Sequence, residues 1–161
     1  MARRNRLKEE ESFKTIVKIP VNREDFNHAG EGSSQLKRQL VKLGYSPATI
    51  RRVAVASYEA ELNMVIHSLG GELEAGVRPQ AVKIIARDRG PGIKDIDQAM
   101  EQGFSTAPAH IQQMGFGAGM GLPNMKKSCD DFSIESGEGQ PTTITMVIRE
   151  PAGAAEAQAG R

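Results

Sequence analysis

The chain has no tryptophan, 2 tyrosines and 5 phenylalanines among its 161 residues, too few rings to build a base-stacking platform for single-stranded nucleic acid. It has one cysteine, Cys129, so no internal disulfide can form, and nothing in its cysteine usage points to export. No apolar run approaches the roughly 20 residues that span a bilayer, and the charged opening MARRNRLKEEES lacks the apolar stretch of a secretory signal. Neither sign of charge is in excess. Lys and Arg number 21 against 20 Asp and Glu, a net charge of +1, which argues against a general nucleic-acid binder with a concentrated basic surface. These absences lead to the expectation of a cytoplasmic protein with no nucleic-acid and no membrane partner. Hydrophobic residues at 39% and charged residues at 25% are ordinary for a globular protein. The length is one domain's worth on a prior of roughly 150 residues.

Glycine is what the chain has in quantity. There are 17, many of them grouped between Gly90 and Gly139. A glycine cluster marks either loops or a backbone that must turn sharply or approach something closely. Residues 1–11 alternate charge without apolar periodicity and are expected to be a disordered tail, as is the small, polar stretch 151–161. Between them, residues 12–150 read as one domain.

Phe13 to Ile19 reads as a strand with Phe13, Thr15, Val17 and Ile19 on one face and Pro20 closing it. Leu36, Leu40 and Leu43 recur at helical spacing over Ser34 to Leu43, with Gly44 as the stop. Ser46 and Pro47 suit the N-cap and first position of a longer helix reaching about Ser68. Its stripe is Ile50, Val53, Ala54, Ser57, Met64 and Val65, with Val55, Leu62 and Ile66 on the other side. Two strands follow, Glu72 to Val77 and Ala81 to Arg87. Period two places Asp88 on the buried face with Val82, Ile84 and Ala86, directly before Gly90-Pro91-Gly92. A short helix near Lys94 to Gln102 and a helix over Leu122 to Cys129 precede two closing strands, Phe132 to Ser136 and Thr143 to Arg149. Helices on one face of a mixed, mostly antiparallel sheet make an α+β two-layer sandwich.

Three patterns occur in order: Glu59-x-x-x-Asn63, Asp88-x-Gly90-x-Gly92, and the run Gly115, Gly117, Gly119, Gly121. Each alone has an ordinary explanation as a helix-surface pair, a turn or a flexible connector. Together they suit a nucleotide. Successive glycine N–H groups leading into a helix at Leu122 make a phosphate cradle. The Asn63 amide is a neutral oxygen ligand suited to Mg²⁺, which shares phosphate oxygens and keeps several waters. Asp88 at a strand end can accept from an exocyclic amine of the kind adenine presents. Glu59, one helical turn from Asn63, is placed as a general base on a water or hydroxyl.

These patterns resemble the ATP-binding boxes of the GHKL superfamily. The segments YEAELNMVIHS, ARDRGPGIKDIDQAMEQGFST and GFGAGMGLPNMKKSCDDFSIESG resemble most the bacterial anti-sigma factor and serine/threonine switch-kinase group. The resemblance spans about Phe13 to Arg149 and implies a Bergerat-type fold. It also implies that ATP is bound with Mg²⁺ at Asn63, that Glu59 activates the attacking hydroxyl, and that Asp88 reads the adenine amine. Gly90 and Gly92 would let the backbone approach the base, and Gly115, Gly117, Gly119 and Gly121 would hold the phosphates. His67, Ser105, Thr106 and Thr143 would border the nucleotide, although Pro141 makes the register at Thr143 uncertain. The implied activity is phosphorylation of a small antagonist protein on serine or threonine in a partner-switching pathway. A sigma factor or downstream activator would be a further partner, and a homodimer a possible assembly. The competing class is an ATP-gated binding module without catalysis.

Overall fold

A computed structural model describes residues 13–101, 103, 107, 109 and 120–151. Five strands form one sheet: β1 (Lys14–Val21), β2 (Gly71–Arg78), β3 (Ala81–Asp88), β4 (Asp131–Glu135) and β5 (Thr143–Arg149). Their spatial order is β1-β2-β3-β5-β4, and every pairing is antiparallel. Among the described residues the helices are α1 (Glu31–Lys42), α2 (Pro47–His67), the single turn α3 (Ile96–Ala99) and α4 (Gly121–Ser128). The expected two-layer α+β architecture is present, though the sheet expected to be mixed is antiparallel throughout the described residues.

Alternation along the strands decides which face of the sheet is covered. Leu73, Ala75, Val82, Ile84, Ala86, Ile144, Met146 and Ile148 are all buried and form the core with Leu36 and Leu40 of α1, Ile50, Val53 and Met64 of α2, and Met125 of α4. The opposite face carries charge. Arg87 pairs with Glu74 at 2.7 Å and Glu72 at 3.6 Å, and Thr15 donates to Glu74 at 3.0 Å. Arg87 is the first cause of a Glu74 pKa held below the usual carboxylate value.

Strand β1 departs from its expected pattern. The pairing register shifts between Thr15 and Val17, so Thr15 turns to the charged face while Val17 and Val21 are buried. A bulge of this kind breaks strict alternation. Pro20 does not end the strand; it pairs opposite Glu72 and the strand continues to Val21. Because β1 lies at the sheet edge, a residue without an N–H is tolerated there.

The long helix starts as expected, with Ser46 as N-cap accepting from the Thr49 N–H and Pro47 at the first helical position. Its buried stripe differs from the expected one. Val53, Ser57 and Glu61 lie one above the next, and Glu61 is only 1% exposed, whereas Val55 is 44% exposed. The buried carboxylate takes the N–H groups of Gly30 at 3.0 Å, Gly32 at 3.3 Å and Ser33 at 2.5 Å. These are orphan donors at the start of α1, whose N-cap, Gly30, has no side chain to satisfy them. Gly32 permits the approach: a Cβ there would stand 2.6 Å from Ile19 Cδ1 and 3.0 Å from Glu61 Oε1. Burial pushes the Glu61 carboxyl above its ordinary pKa, and the three N–H groups pull the other way. Ser33 and Ser57 extend the join through their hydroxyls, 2.9 Å apart. Leu43, expected in the stripe of α1, is exposed because α1 ends at Lys42 and Gly44 turns the chain at φ 81°.

Replacing Glu61 with Ala strands three helix-start donors in a buried position and should lower stability by roughly 3 kcal/mol. Urea unfolding should show this as a lower midpoint at unchanged slope. Glu61→Gln, which keeps one acceptor oxygen, should lose less.

Candidate nucleotide site

Helix α2 is the first wall of the site. Glu59 and Asn63 are four residues apart, on one flank of the helix, and both are half-buried. Among the described residues the Asn63 amide makes no hydrogen bond, while Glu59 Oε1 accepts from Asn124 Nδ2 of α4 at 3.4 Å. Glu59 Oε2 lies at the first turn of α4, 3.4 Å from where a Cβ of Gly121 would stand. His67, in the last turn of α2, is exposed along one edge. Desolvation of its ring lowers the imidazole pKa from the ordinary value.

The second wall is the end of β3. Asp88 continues the inward face of that strand, and its Oδ1 accepts two backbone N–H groups, from Gly90 at 2.8 Å and Thr142 at 2.9 Å. The Thr142 carbonyl in turn accepts the Asp88 N–H at 2.9 Å. One carboxylate oxygen is therefore fixed by the protein. The other has no partner among the described residues.

The hairpin between β4 and β5 holds this arrangement. Ser136 Oγ and Thr142 Oγ1 are 2.6 Å apart, and Ser136 Oγ also accepts the Ile93 N–H at 2.8 Å. Gly92 lets the two loops meet. Its φ is 89°, and a Cβ there would stand 1.9 Å from the Gly137 carbonyl oxygen and 2.5 Å from that of Gln140. The glycine was expected to admit a ligand; what its missing side chain admits is this hairpin. Gly90 is also at positive φ, 104°, and is buried.

The strand register resolves the ambiguity that Pro141 created. Thr143 pairs with Arg87 and Glu135 and shares their side of the sheet, away from the helices. Thr142, 3% exposed, is the threonine beside Asp88. A period-two count from the buried Ile144 would have found it. Glu61, Ser136 and Asn124 were also missed; only Glu61 left a sequence signal, as an acid four residues beyond Ser57 on the buried stripe. Ser105, Thr106, Gly115, Gly117 and Gly119 lie outside the described residues. Gly121 is described, at the start of α4.

No three His, Cys, Asp or Glu side chains converge as a metal site among the described residues. An amide such as Asn63 can supply one oxygen to a divalent cation whose other ligands come from phosphate and water. Cys129 is half-buried, and burial followed by the charge of Asp130 pushes its thiol pKa up, which disfavours the reactive thiolate.

Over residues 49–152 the sequence matches the family described as histidine kinase-, DNA gyrase B-, and HSP90-like ATPase. The chain belongs to this ATPase family. Among its relatives, "Serine/threonine-protein kinase RsbT" of Bacillus subtilis (strain 168) is 36% identical over 118 residues, covering 70% of this chain and 83% of the relative. "Anti-sigma F factor" of Clostridium novyi (strain NT) is 32% identical, covering 60% of this chain and 68% of that protein. Two solved structures share the fold. The RsbU and RsbW domains of Rv1364c from Mycobacterium tuberculosis match with a TM-score of 0.56 and 20% identity, over 84% of this chain and 33% of that one. A chain of the SiaB-SiaC complex from Pseudomonas aeruginosa matches with a TM-score of 0.53 and 10% identity, over 92% and 97%. The match to the ATPase family covers both walls of the site, α2 and the end of β3.

The geometry at Gly92 leads to a sharp expectation. Gly92→Ala combines a left-handed backbone with a steric conflict against fixed carbonyls, and should cost roughly 2–4 kcal/mol. Thermal unfolding measures the loss. Gly139→Ala, where a Cβ meets nothing within 4 Å at a φ of 72°, should cost no more than about 2 kcal/mol.

Proposed function

We propose that this chain is an ATP-dependent protein serine/threonine kinase of the partner-switching type, acting on a small antagonist protein. The observation that carries this is the pairing on α2 of a half-buried carboxylate, Glu59, with an amide, Asn63, one helical turn away, that makes no hydrogen bond among the described residues. It is supported by the family match and by the relatives named as a serine/threonine kinase and as anti-sigma factors.

The chemistry follows from the two walls. The free oxygen of Asp88 accepts from the adenine amine, while Thr142 and Gly90 keep the first oxygen from turning away. Gly121, at the start of α4, would offer its N–H group to the triphosphate, and the resemblance gives Gly115, Gly117 and Gly119 the same role. Asn63 would hold Mg²⁺, which would neutralise phosphate charge as it develops. Glu59 takes the proton of the partner's serine or threonine hydroxyl. That oxygen bonds to the γ-phosphorus, the bond from the γ-phosphorus to its bridging oxygen breaks, and ADP leaves. Positioning and charge neutralisation supply most of the acceleration in such a transfer.

Calorimetry and phosphate transfer test this together. Asp88→Asn should weaken ATP binding by about 100-fold or more, because its amide end presents a donor to a donor. Asn63→Ala should abolish the effect of Mg²⁺ on affinity. Glu59→Gln should bind ATP within about threefold of wild type yet transfer phosphate about 10²–10⁴ times more slowly. Transfer is read as radiolabel from γ-³²P-ATP on purified candidate antagonist proteins. A wild type that binds MgATP but labels none of them is an ATP-gated binding module.

A further inference from the structure

We propose that Asn124 is the positioning residue for Glu59, so that the base is aimed only while α4 is docked on α2. This rests on the kinase reading given above. A glutamate carboxylate on a helix flank has three rotatable bonds and visits several rotamers. Here it is held from one side. Asn124 Nδ2 donates to Oε1 at 3.4 Å, and Oε2 lies 3.4 Å from where a Cβ of Gly121 would stand. Gly121 and Asn124 are three residues apart, on one face of the first turn of α4. The N-cap of that helix, Met120, places no side-chain hydrogen bond on it. Among the described residues, Asn124 is the only side chain that hydrogen-bonds Glu59.

The support is anchored in turn. Leu122, Pro123 and Met125 are buried, so α4 is pinned on both sides of Asn124, and Ser128 Oγ donates to the Asn124 carbonyl at 2.8 Å. An amide donor engages a carboxylate without competing for its charge. It restrains Oε1 while leaving Oε2 to accept a proton. Because α4 follows the glycine run directly in sequence, any shift of this helix moves Asn124 and releases the base.

Two measurements on the full chain separate a positioning role from a structural one. In an amide NMR spectrum the Asn124 Nδ2 protons should move on Glu59→Gln; unmoved signals overturn the contact and the proposal with it. Phosphate release from MgATP, with water as acceptor, gives the second readout. Asn124→Ala should lower kcat by about tenfold with KM for ATP changed by less than about twofold. Asn124→Gln, which restores an amide within reach, should recover most of the rate, and Asn124→Asp, which sets a like charge against Glu59, should be slower than Asn124→Ala. Full turnover in Asn124→Ala, with wild type active and Glu59→Gln inactive, overturns the positioning role alone. Where wild type releases no phosphate to water, the same comparison is read as γ-³²P transfer to an antagonist protein, and a wild type that labels none overturns the catalytic reading and reduces the Asn124 contact to a structural one.

Discussion

One buried carboxylate organises the helical layer. Glu61 is nearly sealed from solvent, a costly place for a charge, and it is tolerated because three N–H groups at the start of α1 converge on it. The arrangement is reciprocal. Without Glu61 the first turn of α1 would have orphan donors, and without α1 the carboxylate would have no partners. It fixes the rotation of α2 about its own axis, because one face must meet α1 and the sheet. Glu59 lies two residues earlier and therefore roughly 200° away around the helix, on the side that meets α4. Asn63 returns to that same flank four residues on. The site's first wall is set by a contact on the other side of the helix.

The second wall depends on the same economy of donors. Asp88 stands where β3 leaves the sheet, and its Oδ1 replaces the ladder partners that the backbone of Gly90 and Thr142 would otherwise lack. The carboxylate is thus structural through one oxygen and available through the other. Ser136, Thr142 and Ile93 then tie the hairpin to the loop through hydroxyl and N–H contacts, and Gly92 leaves the space in which they meet. The rigid end of the sheet and the flank of α2 face the site from two independently secured elements, which is what pre-organised binding requires.

Much of this was legible in the residues. Ser46-Pro47 signalled the start of α2, Gly44 the end of α1, and Val82, Ile84, Ala86 and Asp88 the inward face of β3, because caps, stops and alternation are local rules. The errors fell where a rule is not local. Pro20 closes a strand only if its N–H is needed, and at a sheet edge it is not. Thr15 follows Val17 only if the register is unbroken, and a bulge broke it. Leu43 joins the apolar stripe only if the helix lasts that long. Thr143 took the place of Thr142 because a single step in register exchanges the two faces of a strand.

By itself the sequence determined the order of the elements, the α+β class and the family, since periodicity, capping residues and the three short patterns are carried by neighbours in the chain. Glu59, Asn63 and Asp88 could be named from spacing alone. Only the tertiary structure decided that Glu61 is a cap for a distant helix, that Thr142 faces Asp88, that Gly92 makes room for a hairpin, and that Asn124 reaches Glu59. Each of these joins residues from separate elements, 28 to 65 positions apart where a hydrogen bond makes the join, and such pairings are set by how the layers pack rather than by what stands next in the chain.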